Sequence, residues 1–229
     1  MILHMDGVLL SLETSGICAS VALWIDGKLI GEERWESDRH HSAHIFDPLG
    51  RLLNDLHGVT PETILVGAGP GSYGGVRAAL AVADGLALVY DAKVVSLCSW
   101  SALTLPYPEA WVISDARRNG WAIGHFIKGH QVGDLLILDV SAMPEWLAGV
   151  QSTEVPILSV ESAESLTNAG LMGVTGGLAP TAHLLGDAWI GMSNDEHATY
   201  LMREAAPIYV RPPHITAAKR PAWMIGGTV

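Results

Sequence analysis

The chain has 229 residues, 49% of them apolar and only 16% charged, which is enough apolar material for a sizeable core in one large or two small domains. Its formal net charge is −11, and its 13 Lys and Arg are scattered apart from adjacent pairs such as Arg117-Arg118. Neutralising nucleic-acid phosphates takes Lys and Arg, so the chain reads as a poor stand-alone binder of tRNA or DNA, and a role near nucleic acid is expected to work through a partner.

From the N-terminus, Val8 to Leu12 reads as a strand ending at Glu13, followed by the polar turn Thr14-Ser15-Gly16 and a second strand Ser20 to Trp24. Asp26-Gly27 is a hairpin signal, and Leu29 to Glu32 forms the third strand. A helix is predicted over Ser42 to Leu56, with Ile45, Leu49, Leu52, Leu53 and Leu56 on one face and Pro48 inside it as a kink or restart. The strand Thr63 to Val66 then runs into Gly67-Ala68-Gly69-Pro70-Gly71-Ser72-Tyr73-Gly74-Gly75-Val76-Arg77 and a helix from Val76 to Tyr90. Strand, glycine turn and helix is how a backbone builds an anion cradle. A strand Lys93 to Leu97 follows, with a lobe boundary near Ser99 to Glu109.

The opening design recurs 102 residues later. Trp111 to Ser114 ends at Asp115, a turn Ala116 to Gly120 leads to the strand Trp121 to Phe126, and the hairpin Lys128-Gly129 leads to a third strand near Val132. Glu13 to Gly27 and Asp115 to Gly129 are both 14 residues apart, and Gly27 to Gly31 and Gly129 to Gly133 both 4. A repeat of this period is an architectural signal. A short helix near Ala142 to Leu147, a strand Val155 to Leu158, further apolar pieces and a last helix from Glu196 to Arg203 complete the pattern. Ribbons followed by α/β alternation, twice over, predict an α/β protein of two duplicated lobes, residues 1–100 and 101–229, each a mixed sheet flanked by helices.

The chemistry is thin. Gly69 to Gly74 matches GxGxxG, but Asp91 precedes the second strand instead of closing it, and Pro70 removes a donor. No Lys-Ser or Lys-Thr follows the turn, so there is no Walker A site, and Pro70 stands where a nucleophile elbow around Ser72 needs glycine. His40, His41 and His44 lack a third ligand and read as solvated histidines at a helix start. Glu13 with Thr14 and Ser15, and Gly69, Gly71 and Ser72, form a degenerate anion loop. The facing loop, Arg117-Arg118-Asn119, lacks the glycines that let phosphate approach, so Glu13 and Asp115 read as turn caps or as partners of Arg77 or Arg117. No catalytic residue and no metal site are expected. Cys18 and Cys98 make no zinc or CxxC spacing and read as buried hydrophobes in a reducing compartment. With no secretory pattern at the N-terminus, and Arg77 and Asp84 interrupting the most apolar helix, a cytoplasmic protein without a membrane span is expected.

Several segments together resemble the TsaB (YeaZ) family: Leu12-Glu13-Thr14-Ser15 with Ala19 to Leu23, Arg39-His40-His41-Ser42 with Leu49 and Leu52-Leu53, Gly69 to Arg77, Asp115-Ala116-Arg117, and Pro207-Ile208-Tyr209-Val210-Arg211. The glycine turn is similar to the family's Gly-Pro-Gly-Ser-Phe-Thr-Gly-Leu/Val-Arg motif. Glu13 stands where the family usually has Asp, and Gly74 where it has Thr. The resemblance implies an actin/Hsp70-like (RNase H-like) ATPase fold of two related lobes. It implies a non-catalytic scaffold that binds a TsaD-like subunit, acts with a TsaE-like ATPase in tRNA threonylcarbamoyladenosine synthesis, and can self-associate as a homodimer. By that resemblance the partner interface is expected on the N-lobe helices, at Ile45, Leu49, Leu52, Leu53, Val76 and Leu80. No cofactor is required, and vestigial ATP or ADP binding is left open. The alternative is a free-standing ATP-binding or kinase-like enzyme of the same fold.

Overall fold

The computed structural model describes residues 7–36, 44–54, 56 and 58–211. Its first sheet holds β1 (Val8–Glu13), β2 (Cys18–Ile25), β3 (Lys28–Glu36), β4 (Thr63–Gly67) and β5 (Lys93–Leu97) in the order β3-β2-β1-β4-β5. β1, β2 and β3 are antiparallel, while β4 and β5 run parallel to β1. The second sheet repeats the plan with β6 (Glu109–Asp115), β7 (Gly120–Ile127), β8 (His130–Asp139) and β9 (Ile157–Ser159) in the order β8-β7-β6-β9. The place of a fifth strand is held by Thr175 alone, which bridges Leu158 in parallel.

The duplication read from spacing is therefore a duplication of structure. Both hairpins turn on two residues with positive φ, Asp26 (50°) with Gly27 (71°) and Lys128 (51°) with Gly129 (81°). That is the turn whose twist suits two-residue hairpins. Each β-ribbon also carries an irregularity a few residues from its hairpin, between Leu23 and Trp24 and between Ile123 and His125.

The helices are α1 (Phe46–Asn54), α2 (Tyr73–Tyr90), α3 (Ser101–Thr104), α4 (Met143–Gln151), α5 (Ala163–Asn168), α6 (Ala182–Ile190) and α7 (Asn194–Leu201). Two starts differ from the sequence expectation by three residues or more. α1 begins at Phe46, so Pro48 sits in its first turn, where its missing N–H costs nothing, and no kink is needed. α2 begins three residues before Val76, because the Ser72 hydroxyl accepts from the Gly75 N–H and caps the helix.

One face of the first sheet is covered by α1 and α2, with Leu10, Leu12, Val21, Leu23, Ile64 and Val66 meeting Leu49, Leu52, Val76 and Leu80. The other face is covered from far along the chain: Ala182, Leu185 and Trp189 of α6 pack on Leu9, Trp24 and Leu65. A Cβ on Gly186 would overlap the Trp24 ring, and the Ala182 N–H donates to Ser20 Oγ at 2.7 Å. Residues 101–211 thus supply all of the second sheet and also the back layer of the first. No helix among the described residues is long and apolar enough to cross a membrane.

Candidate functional site

The N-terminal acid lies at the end of β1, fully buried. The Glu13 Oε1 accepts from the Ser15 N–H at 2.7 Å, and the carboxyl fills the space beside Gly67 and the Ser99 hydroxyl that any Cβ on Gly67 would occupy. Burial pushes its pKa above the usual carboxylate range, opposed by hydrogen bonds from Ser15 and Ser99. Nearby, burial pushes the Cys98 thiol up to about 12, which keeps it an inert thiol.

The glycine turn closes down on this loop. The Ser72 N–H donates to the Ser15 carbonyl at 2.7 Å, and the Thr14 hydroxyl donates to the Gly75 carbonyl at 2.7 Å. A Cβ on Gly71 would overlap the Ser15 carbonyl, and one on Gly75 the Thr14 carbonyl. The Gly69 N–H donates to Ser99 Oγ at 3.0 Å, and the Gly69–Pro70 peptide is cis. The six residues of the expected anion loop, Glu13, Thr14, Ser15, Gly69, Gly71 and Ser72, are thus brought together, with Ser15 bonded to both Glu13 and Ser72, Thr14 bonded to Gly75 and Gly69 to Ser99. The glycines serve close approach of backbone to backbone.

The second loop faces this one. Asp115 accepts from the Arg117 N–H at 2.7 Å and pairs with its guanidinium at 3.0 Å, as the turn-cap reading expected. Arg117, Arg118 and Asn119 all hold positive φ (60°, 50° and 58°), where glycine would be unstrained. Between the loops lies a cleft of about 390 Å³, walled by the glycine turn, by Asp115, Arg117 and Glu161 of the second lobe, and by Ile208 to Arg211. Among the described residues no three His, Cys, Asp or Glu side chains are placed to hold a metal ion. His40 and His41 lie outside the described residues.

A second concavity, of about 630 Å³ and almost wholly apolar, lies on the outer surface of the first lobe between α1 and α2. Phe46, Leu49, Gly50 and Leu53 line it from α1, and Ala78, Ala81, Val82, Gly85 and Leu86 from α2. Of the residues expected at a partner interface, Leu49 and Leu53 reach this groove. Ile45, Leu52, Val76 and Leu80 do not: they are buried in the core beneath it. The apolar stripe on α1 is wide enough to serve two surfaces, and the side nearest the sheet is taken by the core. Phe46, 60% exposed, and the small residues of α2 are the groove's own signal.

Two lobes with this strand order, related by duplication and facing each other across a cleft, place the protein in the actin-like ATPase fold class. The sequence pattern of the TsaD family, tRNA N6-adenosine threonylcarbamoyltransferase, matches residues 35–159. The chain belongs to this family, on its TsaB (YeaZ) side. A Bacillus subtilis (strain 168) relative, the tRNA threonylcarbamoyladenosine biosynthesis protein TsaB, is 26% identical over 166 residues, 69% of this chain and 72% of the relative. The solved structure of YeaZ from Pseudomonas aeruginosa, 23% identical, covers 89% of this chain and 100% of its own at a TM-score of 0.65. A second, a Pseudomonas aeruginosa protein with similarity to peptidase YEAZ, is 22% identical, covers 90% of this chain and 100% of its own, and has a TM-score of 0.64. These two share the fold.

Proposed function

We propose that this chain is a non-catalytic scaffold subunit in the synthesis of threonylcarbamoyladenosine beside the tRNA anticodon, and that it binds a TsaD-like partner through the groove between α1 and α2. The observation that carries the reading is that groove. A packed protein rarely leaves so large an apolar hollow open beside a Phe that is 60% exposed unless something covers it. The cleft loops support the non-catalytic half, since Ser72 is bonded to Ser15, Thr14 to Gly75 and Asp115 to Arg117. A TsaE-like ATPase joins the complex in this reading, and tRNA is met through the partner because the chain is acidic. Such work places it in the cytoplasm. The test is co-purification with the TsaD-like protein of the same organism, together with an assay of the isolated chain for threonylcarbamoyl transfer. Association without transfer supports the reading; two folded proteins that do not associate would overturn it.

A second reading, a free-standing ATP-binding enzyme, has in its favour the open cleft with Arg117 and Arg211 on its wall. Heat on titration of millimolar ATP and magnesium into the isolated chain decides for it.

A further inference from the structure

After α7 the chain leaves the first lobe. Residues 205–211 cross from one lobe to the other, and successive residues grip different partners. Ala205 packs on the core under α1 and α2. The Ala206 N–H donates to Ser96 Oγ of β5 at 3.3 Å. The Ile208 N–H donates to the carbonyl of Ala68, at the start of the glycine turn, at 2.8 Å. Tyr209 stacks on Tyr73, the first residue of α2, with ring centroids 5.2 Å apart, and the Arg77 guanidinium donates to the Tyr73 hydroxyl and lies 5.2 Å from the Tyr73 ring centroid. Ile208 and Val210 pack into the second lobe's core with Val112, Phe126 and Leu158. Arg211 lies across the start of β7, where a Cβ on Gly120 would overlap its guanidinium, and its charge bears on Asp139 at the end of β8.

We propose that residues 205–211 form a latch that ties the glycine turn to the second lobe and fixes the opening of the cleft between them. Two features separate a latch from one more piece of core. The strap crosses over the cleft and forms one wall of it, so its release opens that space directly. It is also lightly held. Among the described residues one backbone–backbone hydrogen bond joins it to β4's exit, and Tyr209 is 42% exposed. Segments with few buried contacts and exposed backbone open locally, at far lower free energy than the whole fold. Gly120 fits the same account: it is the residue that lets Arg211 lie flat on the ribbon.

Hydrogen exchange read by mass spectrometry on the full chain tests this. The double variant Tyr209→Ala with Arg211→Ala is expected to speed exchange about tenfold in peptides covering 204–211 and 116–120, leaving the β1 and β6 peptides unchanged, because local opening is uncoupled from global unfolding. Gly120→Ala, which displaces Arg211 without shortening the strap, is expected to act in the same direction. Unchanged exchange in both variants would overturn the proposal. So would a uniform rise across every peptide in both, which would make the strap an ordinary part of one cooperative core.

Discussion

The Ser72 N–H donates to the Ser15 carbonyl at 2.7 Å, so the start of α2 is bonded to the protein's own first loop. In a phosphate cradle those donors face an empty space. Here the space is filled by the chain, with Glu13 buried beneath it.

That geometry predicts a weak site at best. Isothermal titration of the isolated chain with millimolar ATP and magnesium should give no binding heat. A saturable isotherm in the micromolar range would contradict the self-occupied turn.

The same contacts make two glycines intolerant of a side chain. Gly71→Ala drives a methyl group into the Ser15 carbonyl and Gly75→Ala drives one into the Thr14 carbonyl. Each should cost about 1–3 kcal/mol, the usual range for overpacking. Gly85→Ala, on the exposed side of the same helix with open space around it, should be neutral or mildly stabilising. Urea denaturation midpoints compare the three.

Glu13 sets a pH dependence of defined sign. Its folded pKa is raised above the unfolded value, so the native state holds the proton more tightly. Stability from this group is fully present below the unfolded carboxylate pKa and is lost as pH rises through the raised folded value. Glu13→Gln removes that titration. The variant should gain on the parent as pH rises from 4 towards neutrality, as measured by unfolding at several pH values, and a constant difference would contradict the assignment.

Glu196 titrates with the opposite sign. Ser193 and Glu196 form a capping box at α7, and the Ser193 hydrogen bonds hold the Glu196 carboxyl below its usual range. Ser193→Ala should cost about 1 kcal/mol of stability, measured by denaturant unfolding near neutral pH. The difference should shrink as pH falls through the lowered Glu196 pKa.

Much of the framework was legible because it rests on local signals. Asp26-Gly27 and Lys128-Gly129 announce their turns, and the matched positions of Glu13 and Asp115 announce the repeat. The pairing of Asp115 with Arg117 was equally local. The allocation of apolar residues was not legible. α1 and α2 carry apolar side chains on more than one face, and only the packed structure separates Ile45, Leu52, Val76 and Leu80 in the core from Phe46, Ala81 and Val82 on the groove. The return of α6 to the back of the first sheet depends on Gly186 meeting Trp24, a contact between residues with no shared local pattern. The Pro207 to Arg211 segment was visible as a motif, while its crossing between lobes was not.

The most direct test is partner affinity across the α1/α2 groove. Ala81 is exposed on the groove wall, so Ala81→Arg should leave the fold intact while placing a charge where an apolar partner must sit. Binding of the organism's TsaD-like protein, measured by calorimetry or co-elution, is predicted to be saturable with the parent chain and at least about tenfold weaker with Ala81→Arg. Equal affinity for both chains, or no association of two folded proteins, would contradict the account.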